Sequence, residues 1–325
     1  DGPTFTGIFE LASDAGGRSQ ARQFVLELPT NTRKRFVIPA FGSGGRFGSW
    51  NARLLDQRGR VRAEQPNLRP RREASWETVV LGALPRTFGG LPAMPEVRSA
   101  RNELQPAVAR LQTDYFPDNP IALEGLPAIY LNSEKALDLK VPQFNALIAW
   151  INGGGHLIVG VEQPGDANGT PWLRNLLPCQ LTGVGTVSDQ AAFQEWLTSF
   201  RVDARASQPA RTPTPQAGRR AQPATVTPSN PYANLATDPA FDQATLPVAS
   251  CTVRDGKVVL SSGGKPMVIE APRGRGMVTV LTFSPEREPF RSWKNRAWFW
   301  ARLLAIPPDS FASQNPPVYG GHSID

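Results

Sequence analysis

Residues 126–160, LPAIYLNSEKALDLKVPQFNALIAWINGGGHLIVG, decide the fold. Ala128–Leu131 is a continuous apolar run of the length of a buried strand, and Leu157–Val161 is a second. Between them Phe144, Leu147, Ile148 and Ile151 recur at helical spacing. Pro142 suits the first turn of such a helix, where its missing N–H costs nothing, and Gly153–Gly155 can end it with a left-handed residue. A strand, a helix and a strand in this order place the two strands parallel in one sheet, so an α/β domain is expected.

The neighbouring segments extend that sheet. WETVVLGAL, residues 76–84, carries Val79, Val80 and Leu81, a run suited to burial on both faces. Pro106 interrupts the helical pattern of VRSARNELQPAVARL, which predicts a helix before it and a short strand, VARLQ, after it. Past the central strand, Thr170 and Pro171 open a short helix, and CQLTGVGTVS reads as a strand or turn. SDQAAFQEWLTSF is predicted as a helix capped by Ser188, with Phe193, Trp196, Leu197 and Phe200 along one core-facing stripe. LPVASCTVR, DGKVVLSS, KPMVIEAPRG and GMVTVLTFSP read as a C-terminal β-meander, and RSWKNRAWFWARLLAI as a helix capped by Ser292.

Residues 1–72 have a different texture. TFTGIFELAS, QARQFVLELP, KRFVIPAFGS, SWNARLLDQ and GRVRAEQ are short alternating runs separated by turn residues. They predict a small immunoglobulin-like β-sandwich, with Phe24, Leu26 and Leu28 facing inward on one strand and Phe36 and Ile38 on the next. The polar connection NLRPRREAS marks a boundary, so the α/β domain is expected over residues 76–311, with 312–325 as a tail. Within it, residues 203–231 are rich in proline, alanine, threonine and arginine. They hold too few large apolar side chains to offset the entropy of ordering, which predicts a flexible insert.

Of the 325 residues 40% are hydrophobic and 19% charged, enough apolar material for two cores. The formal charge is +7, but the arginines scatter, densest at Arg58–Arg62, Arg69, Arg71, Arg72, Arg219 and Arg220, and are not interleaved with aromatics. That disfavours nucleic acid and leaves an acidic polymer or membrane surface as an alternative use of the basic face. No apolar run is long enough to span a bilayer. Serine-elbow, phosphate-loop, HExxH and EF-hand patterns are all absent, so no metal and no cofactor is expected. The two cysteines, Cys179 and Cys251, are too few for a zinc site. They leave three readings open: buried free thiols, a disulfide, or a reactive Cys179.

AWINGGGHLIVG, residues 149–160, running into VGVEQPGDANG, residues 159–169, resembles the segment leading to the nucleophile elbow of class I glutamine amidotransferases. In that family a cysteine in a sharp glycine-rich turn follows the strand, and a His-x-Glu pair activates it. Here the elbow position falls at Val161 or Glu162, with neither cysteine nor serine, and neither histidine, His156 or His322, stands in such a pair. A thiol nucleophile needs a base within reach. The resemblance therefore implies a flavodoxin-like scaffold, helices on both faces of a parallel sheet, that has lost its triad. Because many membrane-tethered bacterial proteins share the pattern, it also implies an extracytoplasmic, periplasmic-side fragment, held to the membrane by segments outside this chain and assembling with protein partners.

In open parallel sheets ligands bind beyond the carboxyl ends of the strands. The residues leaving those ends are Asn132, Ser133 and Glu134, then Glu162 and Gln163, and they are the candidate ligand-binding set for a small polar molecule. A structural use is available for two of them, since Ser133 suits a helix cap and Glu134 the first turn. The function expected is thus a non-catalytic binding or assembly module. The alternative is a hydrolase or transferase with a non-standard site at Glu134 and Glu162 or at Cys179.

Overall fold

The computed structural model describes residues 3–14, 21–36, 49–69, 78–96, 105–200, 230–307 and 311. The chain divides into two compact units, Asp1–Ala74 and Ser75–Asp325. The helix expected before Pro106 and most of the proline-rich insert lie outside the described residues, as does the 312–325 tail.

The first unit holds four antiparallel strands, β1 (Phe5–Asp14), β2 (Ala21–Leu28), β3 (Ser49–Asp56) and β4 (Val61–Leu68), in the order β2-β1-β3-β4. Alternation does what it predicts on β2: Phe24, Leu26 and Leu28 are covered while Val25 is 77% exposed. A second, facing sheet is not seen among the described residues. The expected strand KRFVIPAF is not formed over residues 34–36, and its remainder, Ile38 included, lies outside the described residues. Phe36 still packs on Phe24, ring centroids 5.4 Å apart. β4 is one of the two outer strands and exposed throughout, which is where Pro66 can sit without breaking a ladder. The basic run belongs to the β3–β4 turn: Asp56 accepts from the backbone N–H groups of Arg58 and Arg60 at 2.8 and 2.9 Å and pairs with Arg62 at 2.9 Å.

The second unit is α/β. Its sheet takes β5 (Val80–Leu84), β6 (Ala107–Arg110), β7 (Ala128–Asn132) and β8 (His156–Gly160). It is completed by β11 (Lys257–Ser262), β12 (Lys265–Arg273) and β13 (Gly276–Leu281), in the order β11-β12-β13-β8-β7-β5-β6. The strands from β13 to β6 are mutually parallel, whereas β11 and β12 run antiparallel at one edge. Between β7 and β8 the chain forms α1 (Val141–Gly153) with Pro142 in its first turn. It ends at Gly154, whose φ of 129° few side chains tolerate.

Every residue of β7 is buried, and successive side chains go to opposite cores. Ile129 and Leu131 join Leu157, Val159, Leu147 and Ile151 beneath α1, α2 (Pro164–Asn168) and α3 (Pro171–Leu176). Ala128 and Tyr130 join Ile158 and a ring cluster under α4 (Ala191–Thr198), α5 (Pro239–Asp242) and α6 (Arg296–Leu303). The α4 stripe packs as expected, with Phe193 and Leu197 fully buried.

Three expectations need correction. β10 (Leu246–Val253) leaves the meander and pairs instead with β9 (Cys179–Val187) in a separate two-stranded ribbon. Pairing there satisfies both strands locally, which runs of turn residues alone could not reveal. Gln190, not Ser188, precedes α4, and its amide serves the Val187 carbonyl at 2.7 Å. The last helix begins at Arg296 rather than near Ser292, because a 3₁₀ turn over Phe290–Ser292 first drops Trp293 into the core.

Phe193 is the hub of the second core, its ring 5.5–6.4 Å from those of Phe241, Phe283, Phe290, Trp293 and Phe299. Phe193→Ala is expected to cost about 3–5 kcal/mol in urea unfolding. Leu137→Ala, at an exposed position, should change stability by less than about 0.5 kcal/mol.

Candidate functional site

Parallel strands bring their carboxyl ends to one edge, and four of them deliver polar residues there. Arg86 follows β5, Asn132, Ser133 and Glu134 follow or end β7, Glu162 and Gln163 follow β8, and Ser284, Glu286 and Arg287 follow β13. Glu286 is buried and must be matched by donors. It accepts from the Arg86 backbone N–H at 2.9 and 3.0 Å, Thr87 N–H at 3.3 Å, the Tyr130 hydroxyl at 2.9 Å and the Asn132 amide at 2.8 Å. Gly90 is needed for this closeness, since a Cβ there would lie 1.8 Å from a Glu286 oxygen. Burial first, and then the Glu286 charge, push the Tyr130 hydroxyl well above its ordinary pKa, so it remains a donor.

Glu162 occupies the elbow position with its side chain only 1% exposed. Its Oε1 accepts from Arg86 Nη1 at 3.0 Å and from Arg287 Nε. Arg86 also reaches Glu134 through Nε at 2.7 Å, so one guanidinium bridges both carboxylates. Burial alone would raise the Glu162 carboxyl, but Ser284, Asn132 and the Arg287 charge outweigh it and hold the pKa below its ordinary value. Such a carboxylate is a fixed anion, poorly placed to exchange protons near neutrality.

The other candidates serve the backbone. Asn132, rather than Ser133, caps the short 3₁₀ helix that follows β7, accepting from Glu134 N–H at 3.1 Å. Ser133 Oγ accepts from Glu162 N–H at 2.8 Å and donates to Asp166 at 3.0 Å. Gln163 opens α2, its N–H donating to the same Asp166 carboxylate at 3.1 Å. The edge thus unites all five candidates. It adds Arg86, Tyr130, Glu286 and Arg287, which sequence reasoning missed. The signal was present: Arg86 stands two residues past the apolar run of β5, and SPEREPF puts three charges directly after β13. The carboxyl-end rule applied to every strand would have found them.

Beside Glu162 a cavity of about 80 Å³ has Gln163, Ser284 and Arg287 on its polar side and Val161, Val184, Leu246 and Val248 on its apolar side. Ser284 Oγ is buried and, although near enough to bear on Glu162, meets hydrogen-bond geometry with no protein partner. His156 lies at the opposite end of β8, its Nε2 2.7 Å from Thr279 Oγ1, and burial lowers its pKa to about 4, so it is neutral and structural. Cys179 and Cys251 are free thiols on the ribbon. Among the described residues no cluster of His, Cys, Asp and Glu could hold a metal, and no helix is long and apolar enough to cross a membrane.

No family model matches the chain, and no curated protein does. Among solved structures, cytoplasmic protein STM1381 of Salmonella typhimurium LT2 is similar over 70% of this chain and 98% of its own, at 11% identity and a TM-score of 0.42. Cytoplasmic protein STM3548 of Salmonella typhimurium gives 16% identity and 0.39, over 62% and 80% of the two chains. The exo-β-1,4-mannosidase Op5Man5 of Opitutaceae bacterium strain TAV5 gives 12% and 0.37, over 71% of this chain and 36% of that enzyme. Likeness at this level transfers no function. The description of both Salmonella proteins as cytoplasmic stands against the extracytoplasmic location expected from the sequence, and that expectation is dropped.

Glu286→Ala would leave the Tyr130 hydroxyl and two backbone N–H groups unmatched, and is expected to cost about 3–5 kcal/mol in chemical denaturation. Glu134→Ala breaks a largely exposed pair and should cost less than about 1 kcal/mol. Because the folded-state pKa of Glu162 lies below the ordinary 4.5, its contribution to stability is fully present above that value and lost as pH falls through the depressed one. Denaturation midpoints measured across that acid range should therefore fall less steeply in Glu162→Gln than in the wild type.

Proposed function

We propose that this chain is a non-catalytic binding module, built on a flavodoxin-like scaffold of the class I glutamine amidotransferase type and preceded by a β module of immunoglobulin-like kind. One observation carries the reading. The residue at the elbow position is a carboxylate removed from solvent and clamped by two arginines. An acyl-transfer site needs an open nucleophile with a base beside it. Here the charges of Glu134, Glu162, Arg86 and Arg287 satisfy one another, while both cysteines and His156 belong to other parts of the fold.

The ligand this edge would accept is small and polar. A cavity of about 80 Å³ has room for a few waters or one small molecule. The buried Ser284 hydroxyl, beside Glu162, and the Gln163 side chain supply hydrogen-bonding capacity around the Glu162–Arg287 pair. Assembly with a protein partner would use the same rigid edge, whose loops the salt bridges hold in place.

Two measurements on the whole chain test the proposal. Incubation with glutamine should release no ammonia above buffer. Titration with acetate, urea and guanidinium, followed by backbone NMR shifts, should move the signals of residues 161–164 and 282–288, and Ser284→Ala should weaken the response several-fold. Ammonia release that disappears in Glu162→Gln would overturn the non-catalytic reading. An edge unmoved by all three probes would overturn the small-ligand reading.

A further inference from the structure

The two thiols meet on the ribbon formed by β9 and β10. The register pairs Cys179 with Val253 and Leu181 with Cys251, so the two cysteines are diagonal neighbours on one face, directed at the core beneath α1–α3. A β-bulge at Ser250 and Cys251 alters the local ladder next to them. Their exposures differ: Cys179 is 2% exposed, whereas Cys251 is only partly covered. We propose that they form a peroxide-reactive pair, with Cys251 the attacking sulfur and Cys179 the resolving one.

The contact between the sulfurs supports the assignment of roles. A hydrogen bond from the Cys179 thiol holds the Cys251 pKa below its usual value, because it stabilises the thiolate. The same bond, and then burial, push Cys179 upward. The thiolate is the nucleophile, and the partly covered sulfur is the one that a small oxidant can reach. Hydrogen peroxide is that oxidant. The Cys251 thiolate attacks one peroxide oxygen, an S–O bond forms as the O–O bond breaks, and the departing hydroxide takes a proton to become water. Cys179 then gives up its proton as its sulfur attacks the Cys251 sulfur: the S–S bond forms, the S–O bond breaks, and a second water leaves. The peroxide gains two electrons and the two thiols lose them.

The experiment uses the whole chain treated with equimolar hydrogen peroxide and then acid-quenched. Intact mass should fall by the mass of two hydrogen atoms, and digestion should yield one peptide pair joined through Cys179 and Cys251, which dithiothreitol separates. In Cys179→Ser, Cys251 should stop at the sulfenic acid and be trapped by dimedone. In Cys251→Ser, Cys179 should be trapped at least about tenfold more slowly. Equal or faster trapping of Cys179 would overturn the assignment of roles. Peroxide-treated wild type in which both thiols still titrate after unfolding would overturn the pair itself, whatever the variants do.

Discussion

A carboxylate taken out of water must be surrounded by donors, and the α/β unit meets that requirement at Glu286 with groups from two other segments. Two backbone N–H groups from the loop after β5 and two side chains from β7 converge on it. The loop leaving β13 is thereby fixed against the ends of its parallel neighbours, and Arg287, the next residue, is delivered to Glu162. A buried charge of this kind is weak evidence for net stability, because its desolvation offsets much of what its partners return. Its effect is geometric: one arrangement of the edge loops satisfies it, and others leave a charge unmatched.

On the proposed reading, the same edge is what closes the elbow position to acyl-transfer chemistry. An exposed sulfur in a strained turn and a nearby imidazole make a reactive centre. A carboxylate between guanidiniums makes a closed one. With Glu162 in the middle, Arg86 and Arg287 act as ties between loops. The residual space beside Ser284 is where solvent or a small solute can still enter.

Much of this was legible in the sequence because central strands of a parallel sheet are buried on both faces. Continuous runs such as AIYL and LIVG, with a helical pattern between them, admit few other readings. Candidate residues on β7 and β8 were legible for the same reason, since the strand ends were known. What stayed hidden depends on contacts distant in sequence. Arg86 and Glu286 are 200 residues apart, and nothing local to either shows that one backbone N–H will meet the other's carboxylate. The pairing of β10 with β9 was hidden likewise, because hairpin turns flanking β11 and β12 encouraged adding one more strand to the same meander. The first unit was legible strand by strand, but alternation gives the face of a strand and not the number of sheets.

The order of strands bears on how the chain is made. β13, near the carboxyl end of the sequence, lies against β8, while the chain between them supplies the ribbon and the antiparallel edge. During synthesis, β5 through β8 emerge with one flank of β8 bare, and the acid that locks their ends arrives only with residue 286. Until then the half-built sheet carries an unpaired apolar margin, the kind of surface that sticks to its own copies or to a chaperone. Completion of this sheet therefore waits on the strand and the acid that come last in it.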